Sequence, residues 1–180
     1  FKVGGIVLDK FNKVTHKNAM MSLSNAFSYD DLYAFDERIK KEGYEVTYDV
    51  ELKIDGLAIN LTYESGILSV AATRGDGIVG EDVTENIKTI KSIPLQLKKP
   101  LSLEIRGEVF MPYRSFNKVN EEKQALGEEV FRNPRNAAAG TIRQLDSKIV
   151  ASRGLDMFSY TLIEPEGFNL ETQEAVLNFI

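Results

Sequence analysis

The chain has 180 residues, 43% of them hydrophobic and 27% charged, a composition that supports one globular domain with a substantial core. It has no cysteine and a single histidine, His16, which excludes disulfides, thiolate zinc sites and a histidine metal cluster within this segment. Lys and Arg number 22 against 27 Asp and Glu, and the net charge of −5 argues against a surface that binds polyanions throughout, though a local basic patch can coexist with it.

Residues 1–27 show little periodicity and several Gly, Asn and Ser positions, which predicts an extended arm or short strands crossing the surface, with His16 a packing or hydrogen-bonding residue near a loop. "SYDDLYAFDERIKKEG" reads as a helix: Ser28 caps it, acids fill the first turn, Leu32, Phe35 and Ile39 share a stripe, and Gly43 ends it. From Glu45 the period becomes strand-like, with a hairpin at "YESG" joining residues 57–63 to "ILSVAATR". "GDGIVGEDVTENIKTI" predicts a glycine-rich loop and a short helix. Its Gly75, Gly77 and Gly80 fit neither G-x-G-x-x-G nor the Walker pattern and read as turn residues.

"LSLEIRGEVFM" returns to strand alternation, with Glu104, Arg106 and Glu108 on one face. "PYRSFNKVNEEKQALG" predicts a helix opened by Pro112 in its first turn and closed by Gly127. "NPRNAAAGTIRQL" predicts another, capped by Asn133 with Pro134 just inside, whose Ala-Ala-Ala-Gly run suggests close packing. "LDMFSYTLIE" is strand-like and a final helix is expected from near Asn169. Mixed strands, hairpins and helices, without regular strand–helix alternation, predict an α+β fold with antiparallel sheets and flanking helices.

The stretch "YDVELKIDGLAINLTYESG" concentrates the chemistry. On a strand, Glu51, Lys53 and Asp55 would share one charged face, with Leu52 and Ile54 on the opposite, buried one. Such a face can be simply solvated, with ion pairs to neighbouring strands. A nucleophilic lysine is the other reading, and it is demanding: at a reference pKa of about 10.4 the amine is protonated, and flanking carboxylates favour that form. Attack therefore needs desolvation, another cation, or a divalent metal occupying the acids, which points to a phosphate-rich substrate and a phosphoramidate product.

"KIDG" at 53–56 resembles motif I (K-x-D-G) of the covalent nucleotidyltransferases, the DNA ligases, RNA ligases and capping enzymes. Four letters are weak alone. Together with "HKNAMMSLSNAF", "AATRGDGIVGEDVTENIKTIKSIP", "EIRGEVFMP" and "FRNPRNAAAGTIRQLD", the chain resembles the adenylation domain of bacterial NAD-dependent DNA ligases over nearly its whole length. The resemblance implies that fold, a cytoplasmic, monomeric enzyme of DNA replication and repair, and three steps. Lysine takes AMP from NAD and releases nicotinamide mononucleotide; AMP passes to the 5′-phosphate of nicked double-stranded DNA; the 3′-hydroxyl displaces AMP.

Carried over residue by residue, it makes Lys53 the adenylated lysine and places Glu51 beside adenine. Asp55 would orient the lysine or help hold magnesium. Ser22 and Leu23 match the segment contacting the adenosine side of NAD, Arg74 a nucleotide contact, Glu108 the acidic residue near ribose, and Tyr160 the aromatic that stacks on adenine. Arg135 and Arg143, about two helical turns apart, match contacts to DNA phosphates, so their replacement by Ala should impair nick sealing more than lysine adenylation. Each has a plainer rival: Ser22 a turn cap, Arg74 and Glu108 a cross-strand ion pair, Tyr160 core, the arginines a solvated helix face.

Two features depart from the family pattern. Ala19 stands where proline is usual, which should loosen that turn. The sequence reads as a partial adenylation domain, an arm over 1–27 and a core over 28–180. It lacks the small N-terminal domain for the nicotinamide mononucleotide half, the later motifs with their nucleotide-contacting lysines, and the C-terminal segments, where alone zinc is expected. Such a piece should not seal nicks by itself. An ATP-using ligase or capping-type transferase, and a non-catalytic nucleotide-binding module, are the competing readings. No run of about 18 apolar residues is present, so no membrane association is expected.

Overall fold

The computed structural model describes residues 10–163 and 169–180. In chain order its elements are β1 (Lys13–Thr15), α1 (Tyr29–Lys41), β2 (Leu57–Glu64), β3 (Ile67–Thr73), β4 (Val79–Glu81), α2 (Thr84–Ile87), β5 (Leu103–Phe110), α3 (Tyr113–Ala125), α4 (Pro134–Ile142), α5 (Ser147–Ser152), β6 (Asp156–Ile163) and α6 (Gln173–Phe179). The fold is α+β: a four-stranded antiparallel sheet in the order β3-β2-β5-β6, a small β1-β4 pair, and flanking helices.

Alternation divides the large sheet into two unlike faces. Ile59, Leu61 and Tyr63 of β2 and Ile105 and Val109 of β5 point into the core, where they meet Ile87 of α2, Ala137, Ala138 and Ile142 of α4, and Val150 of α5. Each large apolar side chain buried there contributes about 1.5–3 kcal/mol. The small residues of α4 let it lie close: a Cβ on Gly140 would stand 3.0 Å from the Phe131 ring. The hairpin joining β2 to β3 turns through Ser65 and Gly66, both with positive φ (49° and 83°), the pair of left-handed residues a tight two-residue hairpin needs.

Helix ends follow the sequence signals. Ser28 accepts from the backbone N–H of Asp31 while Asp31 accepts from that of Ser28, a reciprocal cap on α1, and Gly43 lies beyond its last turn at φ 85°. Asn133 caps α4 with Pro134 as its first residue. Gly127 follows α3 at φ 70°.

Several expectations are corrected. The strand starts at Leu57, not in the forties: residues 44–56 are neither helix nor strand, because pairing begins only at Leu57↔Val109 and alternation without a partner backbone makes no ladder. Leu52, expected in the interior, is 89% exposed, as is Val50 at 96%. Pro112 is the N-cap of α3 and not in its first turn. Gly80 lies within β4 and not in a turn; a Cβ there would come 1.8 Å from the carbonyl oxygen of Thr73. The last helix starts at Gln173, capped by Thr172, and α5 was not anticipated. No residue of α1 is buried: of its apolar stripe Leu32 and Phe35 are exposed, the latter's ring 6.0 Å from that of Tyr48, and Ile39 is half-buried. Of the expected arm, residues 1–9 lie outside the described residues, as does Glu164 at the end of the "LDMFSYTLIE" strand; residues 10–27 carry only β1.

Candidate active site

The second face of the large sheet is polar. Asn60↔Arg106 and Ala58↔Glu108 are register partners between β2 and β5, and Arg74, just past β3, donates its backbone N–H to the Ala58 carbonyl at 3.2 Å. Arg74, Asn60, Arg106 and Glu108 therefore share this face. Tyr160 joins them through an irregularity. Thr161 pairs with Arg106 and Ser159 with Gly107, so Tyr160 is the extra residue of a β-bulge, free of the ladder and re-aimed. Its phenol pKa is raised, first by burial and then by the charge of Glu108, against the lowering influence of Arg106 and Arg74. The ring thus lies within electrostatic reach of all three charges.

The arm crosses this face and is fastened to it at three places. His16 is buried, its Nε2 3.0 Å from the Thr73 carbonyl oxygen and 3.3 Å from that of Arg74. Arg106 spends Nη2 and Nη1 on the carbonyls of Asn18 (2.6 Å) and Ala19 (3.1 Å), while its buried Nε has no partner among the described residues. Arg74 donates to the Ser22 hydroxyl at 2.9 Å. With Ala in the place of proline, the turn at Ala19 is held by the guanidinium of Arg106. Leu23 beyond it is 79% exposed.

Lys53 lies on the irregular segment that leads into β2, exposed with Glu51 and Asp55. The segment joins the sheet at Gly56, whose N–H donates to Glu108 Oε1 at 3.2 Å. Glycine is required at this entry: a Cβ would lie 2.1 Å from the Val109 carbonyl oxygen and 3.1 Å from Glu108 Cγ. Burial raises the Glu108 carboxyl pKa, while the Gly56 hydrogen bond and the nearby charges of Lys53 and Arg135 pull it down and Asp55 pushes it up. Asp55 Oδ1 accepts from Arg135 Nη1 at 3.0 Å, and Glu51 Oε1 from Gln173 Nε2 at 2.8 Å. Arg143, the C-cap of α4, pairs with Glu81 at 3.4 Å.

A lysine gathered with Glu108, Arg135 and Asp55, beside a face bearing Arg74, Arg106 and a half-buried tyrosine, offers a nucleophile, cations for a phosphate and an aromatic for a base. The family profile described as NAD-dependent DNA ligase adenylation domain matches residues 8–180. The chain belongs to that family. It is 55% identical over 179 residues to a DNA ligase of Acholeplasma laidlawii, 55% over 180 residues to one of Bacillus subtilis and 56% over 181 residues to one of Bacillus cytotoxicus. Each match covers 99% of this chain and 27% of the relative.

Within this adenylation-domain chain, Ser22, Arg74, Glu108 and Tyr160 come together on or over the polar face, with Lys53 near Glu108. Arg74 and Glu108 are not the cross-strand ion pair that the plainer reading offered, since each has another partner. Arg143 stands apart on Glu81. Among the described residues no three His, Asp or Glu side chains gather to hold a metal ion, and Asp55 is engaged by Arg135. These residues alone do not make a magnesium cage. No helix among the described residues is long and apolar enough to cross a membrane.

Sequence reasoning put Arg106 on the face of Glu108, through the alternation in "EIRGE", but did not find its hold on the arm carbonyls, and it missed Gln173. Gln173 carries no such signal: its two acceptors lie 122 and 13 residues away in sequence.

Proposed function

We propose that this chain is the adenylyl-accepting part of an NAD-dependent DNA ligase, in which Lys53 attacks the adenylyl phosphorus of NAD. A P–N bond forms, the phosphoanhydride P–O bond breaks, its electron pair leaves on nicotinamide mononucleotide, and the amine gives up a proton. The nucleotide lies along the polar face, its base against Tyr160 and beside Glu51, its ribose near Glu108. Ser22 and Leu23 line the adenosine side, and Arg74 reaches the nucleotide. In the longer protein the AMP passes from Lys53 to the 5′-phosphate of a nick, and the 3′-hydroxyl then displaces it to close the backbone. Arg135 and Arg143 serve these later steps on DNA, and Arg135, through its ion pair with Asp55, serves the lysine step as well.

The observation that carries this reading is the family match over residues 8–180 with Lys53 in K-x-D-G, the Gly56 N–H of that motif donating to the Glu108 carboxylate at 3.2 Å. Electrostatic stabilisation from fixed cations is the largest lever such a site has on phosphorus chemistry. Arg74 and Arg135 are held here by Ser22 and Asp55.

The experiment uses the full-length parent protein with isotope-labelled NAD or ATP, read by intact mass and peptide mapping. An AMP-sized increment on Lys53 is expected from NAD alone and lost in Lys53→Ala. Label taken only from ATP would transfer the chain to the ATP-using ligases, and an increment that survives Lys53→Ala would remove Lys53 from its role.

A further inference from the structure

The side-chain amide nitrogen of Gln173 bridges two acceptors: Glu51 Oε1 at 2.8 Å and the carbonyl oxygen of Tyr160 at 2.9 Å. A carboxylate oxygen and a backbone carbonyl oxygen both accept, so the NH₂ end of the amide must face them, and its two N–H bonds are both committed. The carbonyl is available because Tyr160 is the extra residue of the bulge and stands outside the ladder between β5 and β6. One side chain at the start of α6 thereby ties the bulged aromatic to a carboxylate on the irregular segment before β2.

We infer that Gln173 is a positioning residue that sets the base specificity of the site by fixing the Glu51 carboxylate as an acceptor for the 6-amino group of a purine. This rests on the proposed reading, in which Glu51 faces the base that stacks on Tyr160. Glu51 lies on an exposed stretch with neither helix nor strand to hold it, so an unsupported side chain there would sample several rotamers. With Oε1 taken by Gln173, the second oxygen presents lone pairs only. A 6-amino purine offers a hydrogen bond donor to it. A 6-oxo purine sets lone pairs against lone pairs at that position, and its one donor on this edge, N1–H, is displaced from it, so the matched hydrogen bond is lost. Because Gln173 also holds the Tyr160 carbonyl, the edge-reading carboxylate and the stacking ring are referred to the same side chain.

The test measures Lys53 adenylation in the full-length parent protein with NAD and with its deaminated hypoxanthine analogue. Wild type, Gln173→Leu and Gln173→Asn are compared, the last keeping an amide one methylene too short to span both acceptors. The expected result is a fall of about tenfold or more in the ratio of kcat/KM for NAD over the analogue in both variants, carried mainly by a raised KM for NAD. Thermal unfolding followed by circular dichroism, unchanged within a few degrees, reports that the variants are folded. An unchanged ratio in either folded variant overturns the inference, since a purely structural defect would slow both substrates alike. Failure of the wild type to place AMP on Lys53 would instead overturn the parent reading, and this one with it.

Discussion

Arg135 Nη1 lies 3.0 Å from Asp55 Oδ1, so a residue that the family resemblance gives to DNA and one that it gives to the lysine motif form a single ion pair. Both side chains are more than half exposed, at 59% and 72%, and such a pair contributes only about 0–1 kcal/mol to stability. Its value is positional: it ties α4 to the segment that carries Lys53. Arg135→Ala should therefore leave thermal stability nearly unchanged and slow Lys53 adenylation by about tenfold or more, as well as sealing. Arg143→Ala, whose partner Glu81 lies elsewhere, should impair sealing and spare adenylation. Single-turnover assays of each step separate the two, and wild-type adenylation in Arg135→Ala would show the pair to be inconsequential.

Gly56→Ala is expected to be costly for a reason outside the chemistry. The new methyl would meet the Val109 carbonyl oxygen at 2.1 Å, backbone that cannot swing aside, so the entry to β2 must separate from β5. Overpacking of this kind costs about 1–3 kcal/mol. It would also carry Lys53 away from Glu108, and a displacement near 1 Å can cost about a hundredfold in rate. Thermal unfolding and the yield of Lys53–AMP should both fall; an unshifted melting temperature would contradict the steric account.

Much of the fold was legible because local rules and tertiary packing agree. The "SG" hairpin, the Ser28 and Asn133 caps and the alternation of "LEIRGEVF" each specify geometry within a few residues. The segment around Lys53 read as strand because its period is two, yet a strand is a relation between two backbones and only the residues from Leu57 onward have one. Motif resemblance singled out Lys53, Glu108 and Arg74, which the fold brings to or beside one polar sheet face. The struts of the site were not legible, since Arg106 acts on carbonyls 87 and 88 residues away and carbonyls leave no trace in side-chain patterns.

Glu108 should make stability depend on pH in a direction opposite to a salt-bridged acid. Burial raises its pKa from the ordinary 4.5, so the folded state holds the proton more tightly than the unfolded chain. Its contribution is full below that ordinary value and is lost as pH rises through the raised folded value. Glu108→Gln, which can still accept from the Gly56 N–H, removes this loss. Melting temperatures of variant and wild type should lie closest near about pH 4 and diverge in favour of the variant towards about pH 7, while Lys53 adenylation collapses in the variant. A gap that narrows over the same range would refute the assignment.

Asn86 is 1% exposed and donates through Nδ2 to the carbonyls of Ile142 and Gln144, both at 2.7 Å, pinning α2 to the end of α4. Asn86→Ala leaves one buried and one half-buried carbonyl unpaired and should cost on the order of 2–4 kcal/mol. Chemical denaturation should show the loss as a lower midpoint at constant slope.

The bulge in β6 makes the location of an aromatic ring a question of parity. Deleting any one residue from 157–159 would bring Tyr160 opposite Gly107, and because side chains alternate, the ring would swing through the sheet into the apolar interior. Amino-acid identity at position 160 would survive such an indel intact. The one extra residue of that strand thus decides where the ring stands as much as the identity of the side chain at 160 does.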